Sequence, residues 1–316
     1  MHKQNQTESI FVILNPKAGS QQAAKKRAFI ESCLAQYFKT WSLEVTKGPK
    51  HAIALAKRAC SEGYNIVAVV GGDGSCHEVV QGIMASEQKA IFAVIPFGTG
   101  GDLRKSTGTP KNLRKAIQLA AFGADRLVHV GAVKRQGENG PEDEYFINVA
   151  GFGANGEVAE RTNRWSKRLG GKLTFLNATL YTSMTYRAPT AHLEWVNVDG
   201  TTEKWTGKLL SCFIANAQYC GGGMKVAPDD ALLDSSLYFR LLPELSVPAQ
   251  IYHMPKLYED KISEVNGSIC REIKELKAFA TQNQDIRIDL DGELSGMLPA
   301  HFSIAPSVLT IRGAWK

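Results

Sequence analysis

The sequence has few of the features that mark secreted, membrane-spanning or zinc-binding proteins. No apolar run approaches the length of about eighteen residues that a membrane-spanning helix needs, and the opening MHKQNQTESI has no signal-peptide core. The six cysteines never stand in C-x-x-C spacing, and the histidines show no spacing typical of metal ligands. We therefore expect a cytoplasmic protein with reduced thiols, without a disulfide framework or a zinc site.

Internal repeats, low-complexity linkers and an extreme charge balance are also absent. The 316 residues contain 37 Lys and Arg against 31 Asp and Glu, a formal net charge of +6. This modest surplus favours anionic ligands such as nucleotides or acidic lipid surfaces, and we expect no nucleic-acid partner. A hydrophobic fraction of 44% is that of a globular protein, and the length is sufficient for two domains.

The first 130 residues or so alternate strand and helix patterns. The apolar runs IFVIL (10–14) and IVAVV (66–70) are continuous rather than alternating, which predicts strands covered on both faces. Such strands are typical of a parallel, doubly wound α/β sheet. The predicted strands are 10–14, 43–46, 66–70 and 91–96, and the predicted helices are 23–38, 52–62 and 76–86.

From about residue 125 onward, polar alternation and Asp-Gly or glycine-rich turns predict a second, mostly antiparallel β domain. We place the boundary between residues 1–127 and 128–316, with one helix at 172–186. The predicted strands of this second domain are 127–133, 144–150, 191–198, 209–217, 236–242, 285–290 and 303–311.

The stretch Gly71-Gly72-Asp73-Gly74-Ser75 directly follows the buried strand 66–70. Glycines let backbone N–H groups approach a polyphosphate closely, and the N-terminus of the following helix adds a positive dipole end. Because Asp73 would repel phosphate, the motif predicts a divalent cation between them. It therefore indicates nucleotide phosphates plus magnesium; the alternative is a glycine turn with an N-capping acid.

Two more loops fall at the carboxyl edge of the same predicted sheet, where ligands of such sheets bind. One is NPKAGS (15–20), in which Asn15 can bond its own backbone or a phosphate, and the other is FGTGGD (97–102). The alternatives are an ordinary strand–helix turn and a strained turn with Asp102 as an N-cap. Three convergent loops favour a nucleotide cleft.

The second half contains three further candidate features. Asp291-Gly292-Glu293 offers a general base and a metal-facing acid, or is a bare Asp-Gly hairpin. The acidic stretch 221–234 suits a hard cation or is a solvated loop. The glycines of 151–156 match a dinucleotide fingerprint, but no acid ends a strand about twenty positions later, so we predict a turn there.

Residues 161–172 (RTNRWSKRLGGK) combine cations with Trp165 and Leu169. Such a composition suits docking on an anionic membrane, and a solvated basic loop is the alternative.

In seven segments the chain resembles the diacylglycerol kinase catalytic-domain family, in its small bacterial lipid-kinase form. That family includes sphingosine and ceramide kinases and is related to NAD kinases. The segments are VILNPKAGS (12–20), VVGGDGSCHEVVQGI (69–83), IPFGTGGD (95–102), YFINVAGFGANGEV (145–158), GGGMKVAP (221–228), DGE (291–293) and FSIAPSVLTI (302–311).

The resemblance implies an N-terminal α/β, NAD-kinase-like nucleotide domain and a C-terminal antiparallel β-sandwich that receives the lipid. Its last strand, about 303–316, would return to the first domain, and the active site would lie in the cleft between the domains. The implied reaction transfers the γ-phosphate of ATP, with Mg²⁺, to a lipid hydroxyl of a diacylglycerol-like or sphingoid substrate. The protein would associate transiently with an anionic membrane surface, and a homodimer is left open.

The resemblance also assigns roles to particular residues. Asp291 and Glu293 would be the catalytic carboxylates, together with Asp73, which would hold the catalytic Mg²⁺. A structural Mg²⁺ would lie at Ala231, Asp234 and Ser236. The implied ATP-binding residues are Asn15, Pro16, Lys17, Gly19, Ser20, Thr46, Gly71, Gly72, Asp73, Gly74, Ser75, Glu78, Gly98, Thr99, Gly100 and Asp102.

Four positions depart from the family pattern. Ser75 stands for a threonine, Gly101 for an asparagine, His129 for an aspartate, and Tyr238 for the second acid of the structural metal site. Two alternatives therefore stay open: a nucleotide- and lipid-binding homologue with impaired catalysis, and an NAD kinase. The identity of the lipid is open as well.

Overall fold

The computed structural model describes residues 8–98, 101–137, 140–164, 171–281 and 284–315. The chain divides into two compact units, which we call unit 1 (Met1–Val128 and Ser307–Lys316) and unit 2 (His129–Pro306). Unit 1 is thus built from both ends of the chain. Within the described ranges, no helix is both long and apolar enough to cross a membrane.

Six of the described strands form the sheet of unit 1: β1 (Ser9–Leu14), β2 (Thr40–Val45), β3 (Ile66–Gly71), β4 (Ile91–Pro96), β5 (Ala124–Val128) and β18 (Leu309–Gly313). Their order is β2-β1-β3-β4-β18-β5, and neighbouring strands are parallel except for β18 and β5. The predicted parallel sheet of an α/β domain is therefore confirmed.

The described helices of unit 1 are α1 (Ala18–Gln21), α2 (Arg27–Tyr37), α3 (His51–Ser61), α4 (Asp73–Met84), α5 (Asp102–Ser106) and α6 (Leu113–Phe122). Alternate residues of β1, Ile10, Val12 and Leu14, pack in one cluster with residues of α2 and α6. Helices α3 and α4 contact β1 and β3 as well, and every residue of β3 is buried. Because helices cover both faces of the sheet, its central strands are apolar at successive positions.

Two helix predictions in unit 1 need correction. The predicted helix 23–38 consists of a 3₁₀ turn at Ala24–Lys26 followed by α2, and α1 lies before it. The helix predicted at 76–86 begins at Asp73 instead, because Gly72 has extended backbone and the next residue already enters the helix. An acid in the first turn is favoured by the helix dipole, so Asp73 fits this earlier start.

In unit 2, ten of the described strands form an antiparallel sheet: β6 (Gly131–Gly137), β7 (Gly140–Phe146), β8 (Val149–Gly153), β9 (Thr190–Asn197), β10 (Thr202–Ala215), β13 (Leu237–Pro243), β14 (Ile269–Ala280), β15 (Arg287–Leu290), β16 (Glu293–Met297) and β17 (Ala300–Ile304). Two short strands, β11 (Tyr219–Cys220) and β12 (Met224–Lys225), pair separately. The core contains Phe152, Trp195, Phe239 and Phe302. The predicted antiparallel β domain is confirmed.

Two predicted strands are each divided between the units. The run 127–133 belongs partly to β5 and partly to β6, and the run 303–311 partly to β17 and partly to β18. The chain passes from one sheet to the other at these points. Each run therefore forms parts of two strands, although its apolar pattern in the sequence is continuous.

Unit 2 also contains helices α7 (Ala154–Arg164), α8 (Gly171–Thr185) and α9 (Val247–His253). Helix α8 matches the predicted helix, whereas α7 replaces the turn predicted at 151–156. Gly156 lets this helix pack closely against β15, because a Cβ at this position would lie 2.5 Å from the carbonyl oxygen of Arg287. Arg161 and Arg164 are therefore helical, and residues 165–170 of the basic stretch lie outside the described ranges.

Candidate active site

Three glycine-containing loops of unit 1 meet beyond the carboxyl ends of β1, β3 and β4. The side-chain amide of Asn15 donates a hydrogen bond to Ser75 Oγ at 2.8 Å. Gly19 has φ +59°, and a Cβ there would lie 2.6 Å from Cε1 of Phe97. The first loop therefore contacts both of the others, and glycine is required at position 19 by backbone conformation and by space.

The loops after β3 and β4 surround a cavity of about 200 Å³. Backbone groups and two cations form much of its wall, a composition that suits an anion such as a phosphate group. Sequence reasoning missed both cations, because isolated basic residues near a loop look like ordinary solvated charges. The lining residues are Gly71, Gly72, Pro96, Phe97, Gly98, Gly101, Arg104 and Lys111.

The guanidinium group of Arg104 is only partly hydrogen-bonded. Its Nη1 donates to the carbonyl of Thr109 at 3.0 Å. Its Nε is buried and has no hydrogen-bond partner among the described residues. A buried N–H without a partner costs free energy, so an anion in the cavity would find a donor already in place.

Asp73 connects the loop after β3 to the start of α5. Its carboxylate accepts hydrogen bonds from the backbone N–H groups of Gly101, Asp102 and Leu103 at 2.8, 2.9 and 3.3 Å. Burial and the nearby charge of Asp102 raise the pKa of Asp73, while these hydrogen bonds act in the opposite direction. Asp73 therefore positions the loop after β4, and it lies close to a second acid, Asp102.

The pair Asp73 and Asp102 fits a magnesium ion that is bound together with phosphates. Mg²⁺ usually takes one or two protein carboxylates and completes its shell with phosphate oxygens and water. Oδ2 of Asp73 accepts one hydrogen bond, from Gly101, which leaves lone-pair capacity on that oxygen. Oδ1 of Asp102 is bound by Lys105 Nζ at 2.8 Å.

Thr46 and Glu78 lie around the loop that follows β2. The carboxylate of Glu78 accepts hydrogen bonds from the backbone N–H groups of Lys50, at 2.9 Å, and Ala52, at 3.1 Å. It therefore caps the start of α3. The N–H of Thr46 donates to the carbonyl of Leu14 at 2.9 Å, which extends the pairing of β1 and β2 by one residue.

The structure describes fewer contacts for the other predicted ATP ligands. Lys17 N–H donates to Asn15 Oδ1 at 3.0 Å, so Asn15, Pro16 and Lys17 form a tight turn. Gly74 lies in the first turn of α4. Thr99 and Gly100 lie outside the described residues, and so does the side chain of Ser20.

In unit 2, Asp291 occupies the turn between β15 and β16 with φ +54°. Its carboxylate accepts hydrogen bonds from the backbone N–H groups of Ile147, Asn148 and Val149 at 3.1, 2.7 and 3.1 Å. The arrangement repeats that of Asp73, since each carboxylate orders a neighbouring loop through three N–H groups. Glu293 is exposed at the first position of β16.

Asp289 is a second acid of this region that sequence reasoning missed. It pairs with Gly151 across β15 and β8, where a Cβ would lie only 2.7 Å from Asp289 Oδ1. That oxygen is buried and has no hydrogen-bond partner among the described residues. Burial and the charge of Asp291 raise the pKa of Asp289 to about 7. The available signal was its position on a predicted strand only two residues before the acid of the Asp-Gly turn.

The residues predicted to hold a structural Mg²⁺ are already bonded to one another and to neighbours. The hydroxyl of Tyr238 donates to Asp234 Oδ2 at 2.6 Å, and Ser236 Oγ donates to Glu272 Oε1 at 2.6 Å. The N–H of Asp234 donates to the carbonyl of Ala231 at 3.2 Å. The described part of the chain contains no group of three or more metal-ligating side chains. This donor set does not fit a divalent cation.

Comparison with known proteins agrees with this architecture. Residues 9–133 match the family model of the diacylglycerol kinase catalytic domain, and residues 148–313 match that of the YegS C-terminal NAD kinase beta sandwich-like domain. Over 292 residues the chain is 25% identical to a diacylglycerol kinase of Bacillus subtilis (strain 168), covering 92% of this chain and 91% of that protein.

A second relative, named as a "lipid kinase YegS-like" protein of Pseudomonas syringae pv. syringae (strain B728a), is 28% identical over 279 residues. The match covers 86% of this chain and 84% of that protein. The crystal structure of a diacylglycerol kinase from Bacillus anthracis str. Sterne shares the fold, with a TM-score of 0.72 at 21% identity over 97% of each chain. The chain belongs to the diacylglycerol kinase family of lipid kinases, phosphotransferases whose acceptor is an alcohol.

Proposed function

We propose that this lipid kinase transfers the γ-phosphate of ATP, with Mg²⁺, to the hydroxyl group of a diacylglycerol-like or sphingoid lipid. The observation that carries the proposal is the meeting of three glycine-containing loops, two of which line a cavity with Arg104 and Lys111 in its wall. Backbone N–H groups at the start of α4 and two cations form a binding site for phosphates.

In this proposal unit 1 holds the nucleotide. The turn at Asn15 and the first turn of α4 contact the phosphates, and Arg104 offers its free Nε to them. Asp73 and Asp102 would hold Mg²⁺, which when bound neutralises charge on the transferred phosphoryl group. Phosphoryl transfer needs positioning and electrostatic stabilisation above all, and both are supplied by loops that side chains hold in place.

We assign the acceptor side of the reaction to Asp291 and Glu293. The lipid hydroxyl gives its proton to a carboxylate oxygen while its oxygen bonds to the γ-phosphorus. The bond from that phosphorus to the β–γ bridging oxygen breaks, and its electron pair leaves with ADP. Three N–H groups fix Asp291, so its carboxylate is oriented before substrate arrives.

The test is product identification with radiolabelled ATP, Mg²⁺ and a total lipid extract, with NAD offered in parallel as acceptor. We expect label in a phospholipid, and a loss of about a hundredfold or more in Asp291→Asn. Asp285→Asn, at an exposed position two residues before β15, is the matched control and should retain turnover. Label in NAD alone, or none with any lipid, would contradict the proposal.

A further inference from the structure

In the short connection from β7 to β8, the backbone polar groups of Ile147, Asn148 and Val149 are all hydrogen-bonded. Their three N–H groups donate to the carboxylate of Asp291, and the N–H of Asp291 donates to the carbonyl of Val149 at 2.9 Å. The carbonyl groups of Ile147 and Asn148 are bonded instead to the segment that directly follows β10. The position of this connection therefore depends on Asp291 and on that segment, all within unit 2.

Asn216, the first residue after β10, provides most of these bonds to the carbonyl groups. Its side-chain Nδ2 donates to the carbonyl of Ile147 at 3.0 Å and to that of His129 at 3.0 Å. Its backbone N–H and that of Ala217 donate to the carbonyl of Asn148 at 2.8 and 2.9 Å. One residue thus joins three segments of unit 2, at 129, at 147–148 and at 216.

The side chain of Asn216 is fully buried, and its neighbours determine which way its amide points. Its exposed fraction is 0%, and its Oδ1 has no hydrogen-bond partner among the described residues. The reversed amide would place this oxygen against two carbonyl oxygens and leave both without a donor. A buried acceptor without a partner costs free energy, and the chain accepts that cost at this position. The contribution of Asn216 is therefore the two hydrogen bonds that its NH₂ group donates.

A hydrogen bond to a carbonyl oxygen also directs the N–H group of the same peptide unit, because that unit is planar and trans. The carbonyl of Ile147 and the N–H of Asn148 belong to one unit, and the carbonyl of Asn148 and the N–H of Val149 belong to the next. Both N–H groups donate to Oδ1 of Asp291, at 2.7 and 3.1 Å. Asn216 therefore directs, through two rigid peptide units, the two donors that hold this oxygen.

We propose that Asn216 is a positioning residue for the kinase reaction, which holds the carboxylate of Asp291 in the orientation that receives the proton of the lipid hydroxyl. The inference rests on the proposed function, in which Asp291 lies on the acceptor side of the transfer. A displacement of about 1 Å at a reacting group costs about a hundredfold in rate. Loss of the Asn216 amide should therefore slow phosphate transfer and leave nucleotide binding in unit 1 unchanged.

The test uses the full chain with two substitutions, Asn216→Ala and Asn216→Leu. Leucine has the same number and branching of heavy atoms as asparagine, so it leaves no large cavity but donates no hydrogen bond.

Asn197→Ala is the matched control. Asn197 is also buried, its Nδ2 donates to Thr201 Oγ1 at 3.0 Å and to Glu203 Oε1 at 2.7 Å, and its Oδ1 also has no partner among the described residues. It lies on β9, which pairs with β10 and β14, whereas Asp291 follows β15, which pairs with β8 and β16.

Initial rates are measured with radiolabelled ATP, Mg²⁺ and a total lipid extract in detergent micelles, at a series of ATP concentrations. We expect both Asn216 variants to lose about tenfold or more in kcat, with the KM for ATP within about twofold of the wild-type value. Asn197→Ala should keep the wild-type kcat. Urea denaturation should show similar destabilisation of Asn197→Ala and Asn216→Ala, because each loses two buried hydrogen bonds.

A double variant separates positioning from general damage to the fold. Adding Asn216→Ala to Asp291→Asn should lower kcat little further, because the effects of residues that act as a unit are not additive. If Asn216 supported only the fold, the two losses in kcat would multiply.

Wild-type kcat in a folded Asn216 variant would overturn the proposal, and so would an equal loss in Asn197→Ala or multiplied losses in the double variant. Failure of both Asn216 variants to fold, with Asn197→Ala folded, would assign the side chain to the stability of unit 2 and overturn it as well. If the proposed function itself fails, the wild-type chain labels no lipid. If this inference alone fails, the wild-type chain is active and Asp291→Asn is impaired.

Discussion

Asp73 and Asp291 lie in different units, but each carboxylate orders a loop through three backbone N–H groups. A carboxylate has two acceptor oxygens and no donor, whereas an asparagine amide replaces one oxygen with an NH₂ group. Substitution by Asn therefore brings a donor against backbone donors and releases part of the loop. The consequence is a change in loop position, with little change in side-chain size.

We accordingly expect Asp73→Asn to lower the free energy of unfolding by about 1–3 kcal/mol, because buried N–H groups lose their acceptor. Turnover should fall by about a hundredfold, since the loop that ends at Gly101 lines the cavity that we propose for phosphate. Chemical denaturation and initial rates measure the two effects. Asp199→Asn, in the exposed turn at Asp199-Gly200, is the control. Wild-type turnover in Asp73→Asn would contradict this role.

Asp289 should make stability depend on pH near neutrality. Its pKa is about 7 in the folded protein and 3.8 when unperturbed, so between these values the folded state binds the extra proton. Stability from this group is fully present below the unfolded pKa and is lost as pH rises through the folded pKa, by up to about 1.4 kcal/mol per pH unit.

Asp289→Asn removes this contribution. Denaturant unfolding at about pH 5 and about pH 8 should show the wild-type chain losing more stability than the variant over that interval. Using the difference between the two proteins cancels the other titrating groups, including Asp73, whose pKa is also raised. Identical pH dependence in both proteins would show that Asp289 is ionised in the folded state throughout.

At the scale of elements, local sequence patterns predicted those helices and strands whose residues all belong to one sheet or one helix. The run Ile66–Gly71 with the glycines after it predicted a strand followed by a helix, because burial on both faces leaves a continuous apolar signature. Helix α7 was missed because Ala154–Arg164 is polar on average and because the glycines of 151–156 were interpreted as a turn. The interruptions of 127–133 and 303–311 were missed because they depend on which sheet each half joins, a long-range property.

The site was predictable to the same extent. The glycine-containing loops were found because glycine has a strong local meaning, and their convergence followed from the parallel sheet. Arg104, Lys111 and Asp289 were missed, since their importance arises from burial and neighbours and not from spacing along the chain. The periodicity of α8 predicted a helix but gave no indication that its apolar side is the exposed one.

The contact between the loop after β1 and the loop after β4 can be tested with two glycines of similar backbone conformation. Gly19 (φ +59°) lies against Phe97, whereas Gly63 (φ +77°) has nothing within 4 Å of a Cβ. Substitution by Ala should cost about 1–2 kcal/mol of stability at either position, because both have left-handed backbone. We expect only Gly19→Ala to raise the KM for ATP, by about tenfold, because only that Cβ displaces the ring of Phe97 in the loop after β4, which we propose to bind nucleotide. Equal KM values for both variants would show that the packing of Gly19 against Phe97 does not affect the KM for ATP.

At the scale of the whole molecule, the two units have separate hydrophobic cores, and β18 completes the sheet of unit 1 after the chain has passed through unit 2. A ligand that binds one folded unit stabilises it by mass action, about 2.7 kcal/mol at a hundredfold excess over Kd. The cavity that we propose for phosphate lies in unit 1, while Asp234 and Ser236 of unit 2 already form hydrogen bonds, with Tyr238 and Glu272 respectively. The units should therefore respond differently to nucleotide and to metal.

Hydrogen exchange followed by mass spectrometry separates these responses. ATP with Mg²⁺ should slow amide exchange in β3 and α4 by up to about a hundredfold, the equivalent of that stabilisation. Mg²⁺ without nucleotide should leave residues 231–243 unchanged, and so should a chelator, because the hydroxyl of Tyr238 already occupies Oδ2 of Asp234. Protection of 231–238 by Mg²⁺ alone would show that a cation displaces Tyr238, and Tyr238→Phe would then increase the protection by freeing that oxygen.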